Sequence, residues 1–487
     1  MNFSNTKINT AIFWIAGILL IAFSSYRAWN IPMTVDEGTT WLVYAQFPLI
    51  DVFLNRPVNT NNHFLNTFLI KFTTSLFGGG IVAIRLSSLF GHLLYIVFSF
   101  KLIQLISNRT IVILTAIVLL HFNPYLNDFF GLARGYSLSW GMMMASMYYF
   151  YQYILKDKEK YIAWSFVFAV LSVYSILIQL NYFLGLIAAF NFVFLLQYLR
   201  SEKSNRSNWF FFFLKKNKIP FITSGVLFAL LAYPISFLRN QNEFYGNRAG
   251  FMQDTIMTLV NQSLFSKKYF GLDFPEVLVG IAITVYVLVL FLSLKKLIKN
   301  NFTKRDIGAF AFCILFTIPC WSTIVQFHLL GTPYLADRTG LILIPLFSII
   351  PIFFFTYFNK KKWLQILICT IPLTAYSYHF HNNVNTFTVR EWWFDTNTKD
   401  VINYMLENED LTQQRTLGVY SWNSPSFTYH VRDWKLEDKI KIVRRNELKK
   451  GEFYDYYYIE GTWLDKISRK EYEVIQNFDS RVLLKKR

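Results

Sequence analysis

Apolar runs of membrane-spanning length recur along the chain almost to residue 380, and short basic clusters separate several of them. A helix needs about twenty predominantly apolar residues to cross the hydrocarbon core of a bilayer. On that pattern candidate spans fall at 8–26, 81–106, 110–127, 137–155, 161–178, 182–199, 219–238, 277–294, 306–330, 339–357 and 363–380. Between them lie Lys156-Asp157-Lys158-Glu159-Lys160, a loop from Arg200 to Lys218, another from Lys295 to Arg305, and Lys360-Lys361-Lys362. Excess Lys and Arg in short loops marks the cytoplasmic side, so all four are predicted to face inward. The segment 63–77 is short and carries Lys71, which suits either a span or an amphipathic helix in the interface. Parity decides between them. Counting it as a span would put Lys7 and the N-terminus outside, so 27–80 is predicted to be one external loop. The expectation is a chain of about 11 transmembrane helices, N-terminus in and C-terminus out, whose opening run is an uncleaved span rather than a signal peptide.

From about residue 381 the spans give way to charged stretches such as Glu437-Asp438-Lys439 and Arg444-Arg445. Two domains are therefore expected: a transmembrane domain over 1–380 and a soluble extracytoplasmic domain over 381–487. Within the latter, Asp400 to Leu406 has helical spacing, while Thr416 to Tyr420, Phe453 to Ile459 and Arg481 to Leu484 read as strands, a small α/β pattern. The fold class is an α-helical polytopic membrane protein with a C-terminal soluble α/β domain.

Composition agrees with that division. Of 487 residues 54% are hydrophobic and 16% charged, which excludes a disordered, collagen-like or ordinary soluble chain. The net charge is 48 minus 30, or +18, and in a soluble protein it would raise the question of nucleic acid. Here the basic residues sit between apolar runs, so they report topology and no nucleic-acid partner is expected. The three cysteines, Cys313, Cys320 and Cys369, all lie in apolar runs. Cys313 and Cys320 stand two helical turns apart, about 10 Å, too far for a disulfide.

The ionisable residues of the external segments form a distinctive set. Asp36 and Glu37 follow the first span, His63 comes later in the same loop, Asp128 and Arg134 follow the third span, and Asp337 and Arg338 follow the ninth. A transporter usually keeps such groups at mid-bilayer depth. Carboxylates and arginines gathered at the outer interface instead suit a reaction on a lipid-linked phosphate, whose headgroup lies at that depth.

In order along the chain come Asp36-Glu37, Asn62-His63-Phe64-Leu65 before an apolar helix, Leu76-Phe77-Gly78, Ile84-Arg85-Leu86-Ser87-Ser88 and Ala133-Arg134-Gly135-Tyr136. This series resembles the membrane-embedded GT-C glycosyltransferases, in particular the protein O-mannosyltransferase and aminoarabinose-transferase group, which use a polyprenyl-phosphate sugar as donor. The resemblance covers residues 10 to 140, with a weaker echo from Asp337-Arg338 to Pro345. Where many relatives have His-Pro-Pro, this chain has His63-Phe64-Leu65. The resemblance implies a GT-C-like fold, an inverting sugar transfer at the outer face of a bacterial inner membrane, and an acceptor that is a glycolipid, a polysaccharide or a protein.

That chemistry needs a base for the acceptor proton and cations for a leaving group that gains negative charge. Asp36 is the candidate base. Neighbouring residues on a helix point about 100 degrees apart, so Glu37 is expected to orient a group or, with Asp36, to help hold a divalent metal ion rather than share one proton. Thr34-Val35-Asp36-Glu37 also fits a capping box that opens a loop helix. Arg134 and Arg338 are candidate clamps for the donor phosphate, because guanidinium offers paired donors and stays charged. By the resemblance His63 and Tyr136 join them. Arg338 has a second reading as a partner of Asp337, and Arg85 and His92 are assigned to structure. The stretch 239–276 is long enough for a lid. Trp41, Trp392 and Trp393 offer faces for sugars, although interfacial anchoring accounts for them as well. Two other classes compete: a lipid-linked-sugar flippase or transporter, and an inactive membrane scaffold.

Overall fold

The computed structural model describes the backbone of residues 3–54, 56, 58–200, 209–240, 244–269, 271, 274–445, 454–466, 471–478 and 480–487. Phe453, the expected start of a strand, and 201–208 of the second basic loop lie outside the described residues. The chain divides into two compact units, one of residues 1–25, 53–66 and 87–384, the other of 26–52, 67–86 and 385–487. The C-terminal boundary is close to the expected one. The second unit, however, also takes in two pieces of the predicted external loop.

Each of the eleven predicted spans falls on helical structure. Among the described residues seven helices are long and apolar enough to cross a membrane, or eight if the pair Thr110–His121 and Pro124–Phe130 is one span bent by 67°. The bend has a local cause: Asn123 caps a new helix by accepting from the Leu126 N–H at 3.0 Å, and Pro124 starts it. Three predicted spans fall short of that standard. Glu159–Ser175 has only 17 residues, about 26 Å of helix. Lys362–Asn383 is diluted by Gln365, two threonines and two histidines. Gly135–Lys156 is polar because it is buried in protein nearly throughout, where small and hydroxylated residues replace lipid-facing ones. Phe64–Phe77 is a 14-residue helix, about 21 Å long against a hydrocarbon core of about 30 Å, so it does not cross.

In the first unit, the Gly135–Lys156 helix is joined to Glu159–Ser175 by serines. Ser172 Oγ donates to the Ser139 carbonyl at 2.8 Å, Ser165 Oγ to the Ser146 carbonyl at 2.9 Å, and the Tyr182 hydroxyl closes on Ser146 Oγ at 2.7 Å. On its other side the same helix meets Ile81–Ile106 at Gly91 and Gly141, where a Cβ on either residue would collide with the facing backbone. This close approach requires glycine.

The second unit holds a five-stranded sheet of β1 (Arg415–Tyr420), β2 (Ile440–Arg445), β3 (Tyr456–Glu460), β4 (Tyr472–Phe478) and β5 (Arg481–Lys486), in the order β2-β1-β3-β5-β4. β1 runs parallel to β2 and β3, with Gly418 opposite Val443 and Tyr457, and β5 runs antiparallel to β3 and β4. The Ser424–Asp433 helix makes the β1–β2 crossover. β3 is buried on both faces, and its side chains alternate: Tyr456 and Tyr458 join Leu417, Phe427 and Met405 on one side, Tyr457 and Ile459 join Tyr472 and Leu484 on the other.

Candidate functional site

Asp36 and Glu37 belong to the second unit, on the Val35–Leu42 helix. The capping box expected from Thr34 and Glu37 forms: Glu37 Oε2 accepts from the Thr34 N–H at 3.1 Å, and Thr34 Oγ1 accepts from the Glu37 N–H at 3.4 Å. Glu37 is fully buried and also accepts from Arg85 twice, Oε1 from Nε at 2.8 Å and Oε2 from Nη2 at 2.6 Å. The remaining Arg85 donors go to the carbonyls of Ala28, Ile31 and Pro32 at 2.8 to 2.9 Å. This cage fixes the turn that leads into the helix and leaves Asp36 half-buried at its first turn. Arg85 and Glu37 thus hold one another and the turn beneath the helix.

A carboxylate that sequence reasoning missed lies beside this helix. Asp395 is almost completely buried, and it accepts from the Val35 N–H at 2.7 Å and from Asn423 Nδ2 at 3.1 Å. Asn423 Oδ1 in turn accepts from Arg481 Nη1 at 2.6 Å. Burial pushes the Asp395 carboxyl well above the usual carboxylate range; its hydrogen bonds and Arg481 oppose this, and the charge of Asp36 adds to it. The only sequence signal for Asp395 is an acid embedded in the aromatic run Trp392-Trp393-Phe394.

The other four predicted site residues all belong to the first unit, which gathers them. His63 is buried next to Gly135, with its ring 5.5 Å from that of Tyr136. A Cβ at Gly135 would strike both His63 and the Ser175 carbonyl, so glycine after Arg134 lets the histidine in. Arg134 is buried at the start of the Gly135–Lys156 helix, which no side chain caps, and Nη1 donates to the Asn61 carbonyl at 3.0 Å. Its loop is held by motif neighbours: Asn66 Nδ2 donates to the Ala133 carbonyl at 2.9 Å, Ser87 Oγ to Asn66 Oδ1 at 2.7 Å, and Ser88 Oγ to the Leu132 carbonyl.

Arg338 stacks over the Tyr245 ring at 4.8 Å, while Asp337 accepts from Gln262 at 3.0 Å and from the Tyr245 hydroxyl at 3.3 Å. The stretch expected as a lid is tied down here, because Asn247 bridges Tyr334 and Thr255 Oγ1 donates to the Leu335 carbonyl at 2.6 Å. His63 is held well below the ordinary histidine value, first by burial and then by the charges of Arg134 and Arg338, with the Ser175 carbonyl opposing. Both guanidiniums thus act on one imidazole, and that imidazole is neutral at neutral pH.

Two solved structures follow a similar chain path. Both are ArnT from Cupriavidus metallidurans, one bound to undecaprenyl phosphate and one in the apo state. The first is similar over 98% of this chain and 97% of its own, at TM-score 0.46 and 10% identity; the second over 98% of each, at TM-score 0.41 and 10% identity. No family model matches the chain, and no curated protein does. The reading of the site therefore rests on the chain's own residues.

Those residues do not suit the metal ion considered for Asp36 and Glu37. Both Glu37 oxygens are engaged by Arg85 and Thr34, and among the described residues no three His, Cys, Asp or Glu side chains gather as ligands. In the first unit Arg134 is buried and Arg338 half-buried.

Proposed function

We propose that the chain is an inverting glycosyltransferase. It moves a sugar from a polyprenyl-phosphate carrier to an acceptor on the extracytoplasmic face of a bacterial inner membrane. The observation that carries this reading is the packing of buried His63 against the Arg134-Gly135-Tyr136 segment, in a unit built of membrane-length helices. Guanidinium and hydroxyl donors beside an imidazole match the charge and shape of a phosphate.

In the proposed step the acceptor oxygen attacks the anomeric carbon as its proton passes to Asp36. The bond from that carbon to the phosphate oxygen breaks on the opposite face, and the electron pair leaves with the polyprenyl phosphate. Arg134 and Arg338 match the charge that the phosphate gains, and neutral His63 and the Tyr136 hydroxyl supply hydrogen bonds. Asp395 holds the start of the helix that carries Asp36 by accepting from the Val35 N–H. Glu37 and Arg85 position the helix that presents Asp36. The acceptor is a hydroxyl of a glycolipid, a polysaccharide or a protein.

Asp36→Asn keeps the shape of the side chain and removes the base. Sugar transfer in isolated membranes is expected to fall by about 100-fold or more. Full activity in this variant would remove Asp36 from the mechanism, and absence of transfer by the wild-type protein from any polyprenyl-phosphate sugar would favour the scaffold.

A further inference from the structure

The second unit contains a hollow of about 420 Å³, within the range of roughly 300–1,000 Å³ typical of small-molecule sites. Its walls are Trp393, Tyr420, Trp422 and Trp463, with Arg445 and Arg481 among them. Trp422 is 63% exposed and Trp393 51%, a large display of indole surface for a soluble domain with a sufficient core. The rings are arranged edge to face: Tyr420 and Trp463 have centroids 5.4 Å apart at 80°, so they form walls of a cleft rather than a closed stack.

Arg481 and Glu460 form an ion pair within the lining. Arg481 is 4% exposed and lies among the rings of Trp393, Phe394 and Tyr458, with centroids 5.6 to 5.9 Å away. Its Nη1 is committed to Asn423 and Nη2 lies 3.5 Å from Glu460, but its Nε finds no hydrogen-bond partner among the described residues. Arg445 rests on the Tyr454 ring at 5.2 Å and donates to its hydroxyl. Among the described lining residues Arg445 and Arg481 are the cations and Glu460 is the acid.

We infer that this hollow binds an anionic saccharide, a sugar ring bearing a carboxylate or phosphate. Indole and phenol faces carry negative potential and attract the polarised C–H face of a pyranose. Guanidinium supplies paired donors for the anionic substituent. Glu460 accepts from ring hydroxyls. The site needs neither Asp36 nor the cationic cluster of the first unit, and binding is read without turnover, so failure of the transfer reading leaves the inference standing.

The test is tryptophan fluorescence and calorimetry on the full-length protein in detergent, titrated with glucuronate, glucose 6-phosphate, glucose and inorganic phosphate. Saturable quenching by glucuronate or glucose 6-phosphate, at least tenfold tighter than by glucose or phosphate alone, is the expected result. Trp422→Ala, at an exposed position, and Arg445→Gln are each expected to weaken it tenfold or more. The inference is overturned if neither anionic sugar saturates, if glucose binds as tightly, if inorganic phosphate binds as tightly, or if Trp422→Ala binds like the wild type.

Discussion

A guanidinium has five N–H donors, and Arg85 directs all five into the protein, two to Glu37 and three to backbone carbonyls. Replacing one partner of such a buried pair strands the other, at a cost of about 3–5 kcal/mol, whereas replacing both by apolar groups is often nearly neutral. Arg85→Met is therefore expected to lower the unfolding midpoint in detergent sharply, and Arg85→Met with Glu37→Leu to recover part of the loss. Equal destabilisation by the single and double changes would mean that Glu37 is not the stranded charge. Asp395 gives a prediction with the opposite character. Its pKa is higher in the folded chain than in the unfolded one, so its contribution is complete below the ordinary Asp value of about 4 and is lost as pH rises through the raised value. Asp395→Asn keeps an acceptor for the Val35 N–H and removes that loss. The melting temperatures of variant and wild type should converge near pH 4 and separate in the variant's favour as pH rises; a constant gap would deny the shift.

At the scale of elements, helices were legible wherever composition faced lipid and less so where it faced protein. The Gly135–Lys156 helix was located within two residues at each end, but its serines and glycines make sense only against the neighbours they contact. Gly141→Val should accordingly cost folded yield, because the facing backbone of Gly91 cannot move aside. Gly280→Ala, in a helix and with nothing near its Cβ, should be tolerated and gain up to about 1 kcal/mol in helix propensity. The comparison is readable as monodisperse protein on size-exclusion chromatography; equal yields would show that the glycine crossing is not needed. In the C-terminal domain β1, β3 and β5 were visible as apolar runs, while β2 and β4 were not. Those two are the sheet's edges, and an edge strand carries polar residues, as Glu473 and Gln476 show. The Ser424–Asp433 helix was missed for a related reason: only one face is apolar, and its ten residues give the pattern little length.

At the scale of the molecule, candidate residues can be picked from the sequence one at a time, but their geometry cannot. His63, Arg134 and Arg338 were singled out one by one, yet nothing in their spacing says that both guanidiniums act on the same imidazole or that the imidazole is neutral. Asp395, from a segment some 360 residues beyond Val35, was invisible because burial created its properties and burial is not written in a motif. The assembled cluster has a consequence that no single residue has. A ligand that binds only the folded state stabilises it in proportion to the logarithm of its concentration over Kd. With a polyprenyl phosphate in the micelle the wild type should gain several degrees in melting temperature and Arg338→Ala much less. Arg134→Ala should lose nearly all of the gain. Arg134→Lys, which keeps the charge but not the paired donors, should fall between, because a compact ammonium neutralises phosphate without matching its geometry. Equal ligand-induced shifts in all four proteins would place the phosphate elsewhere and take with it the assignment of the cluster to the donor.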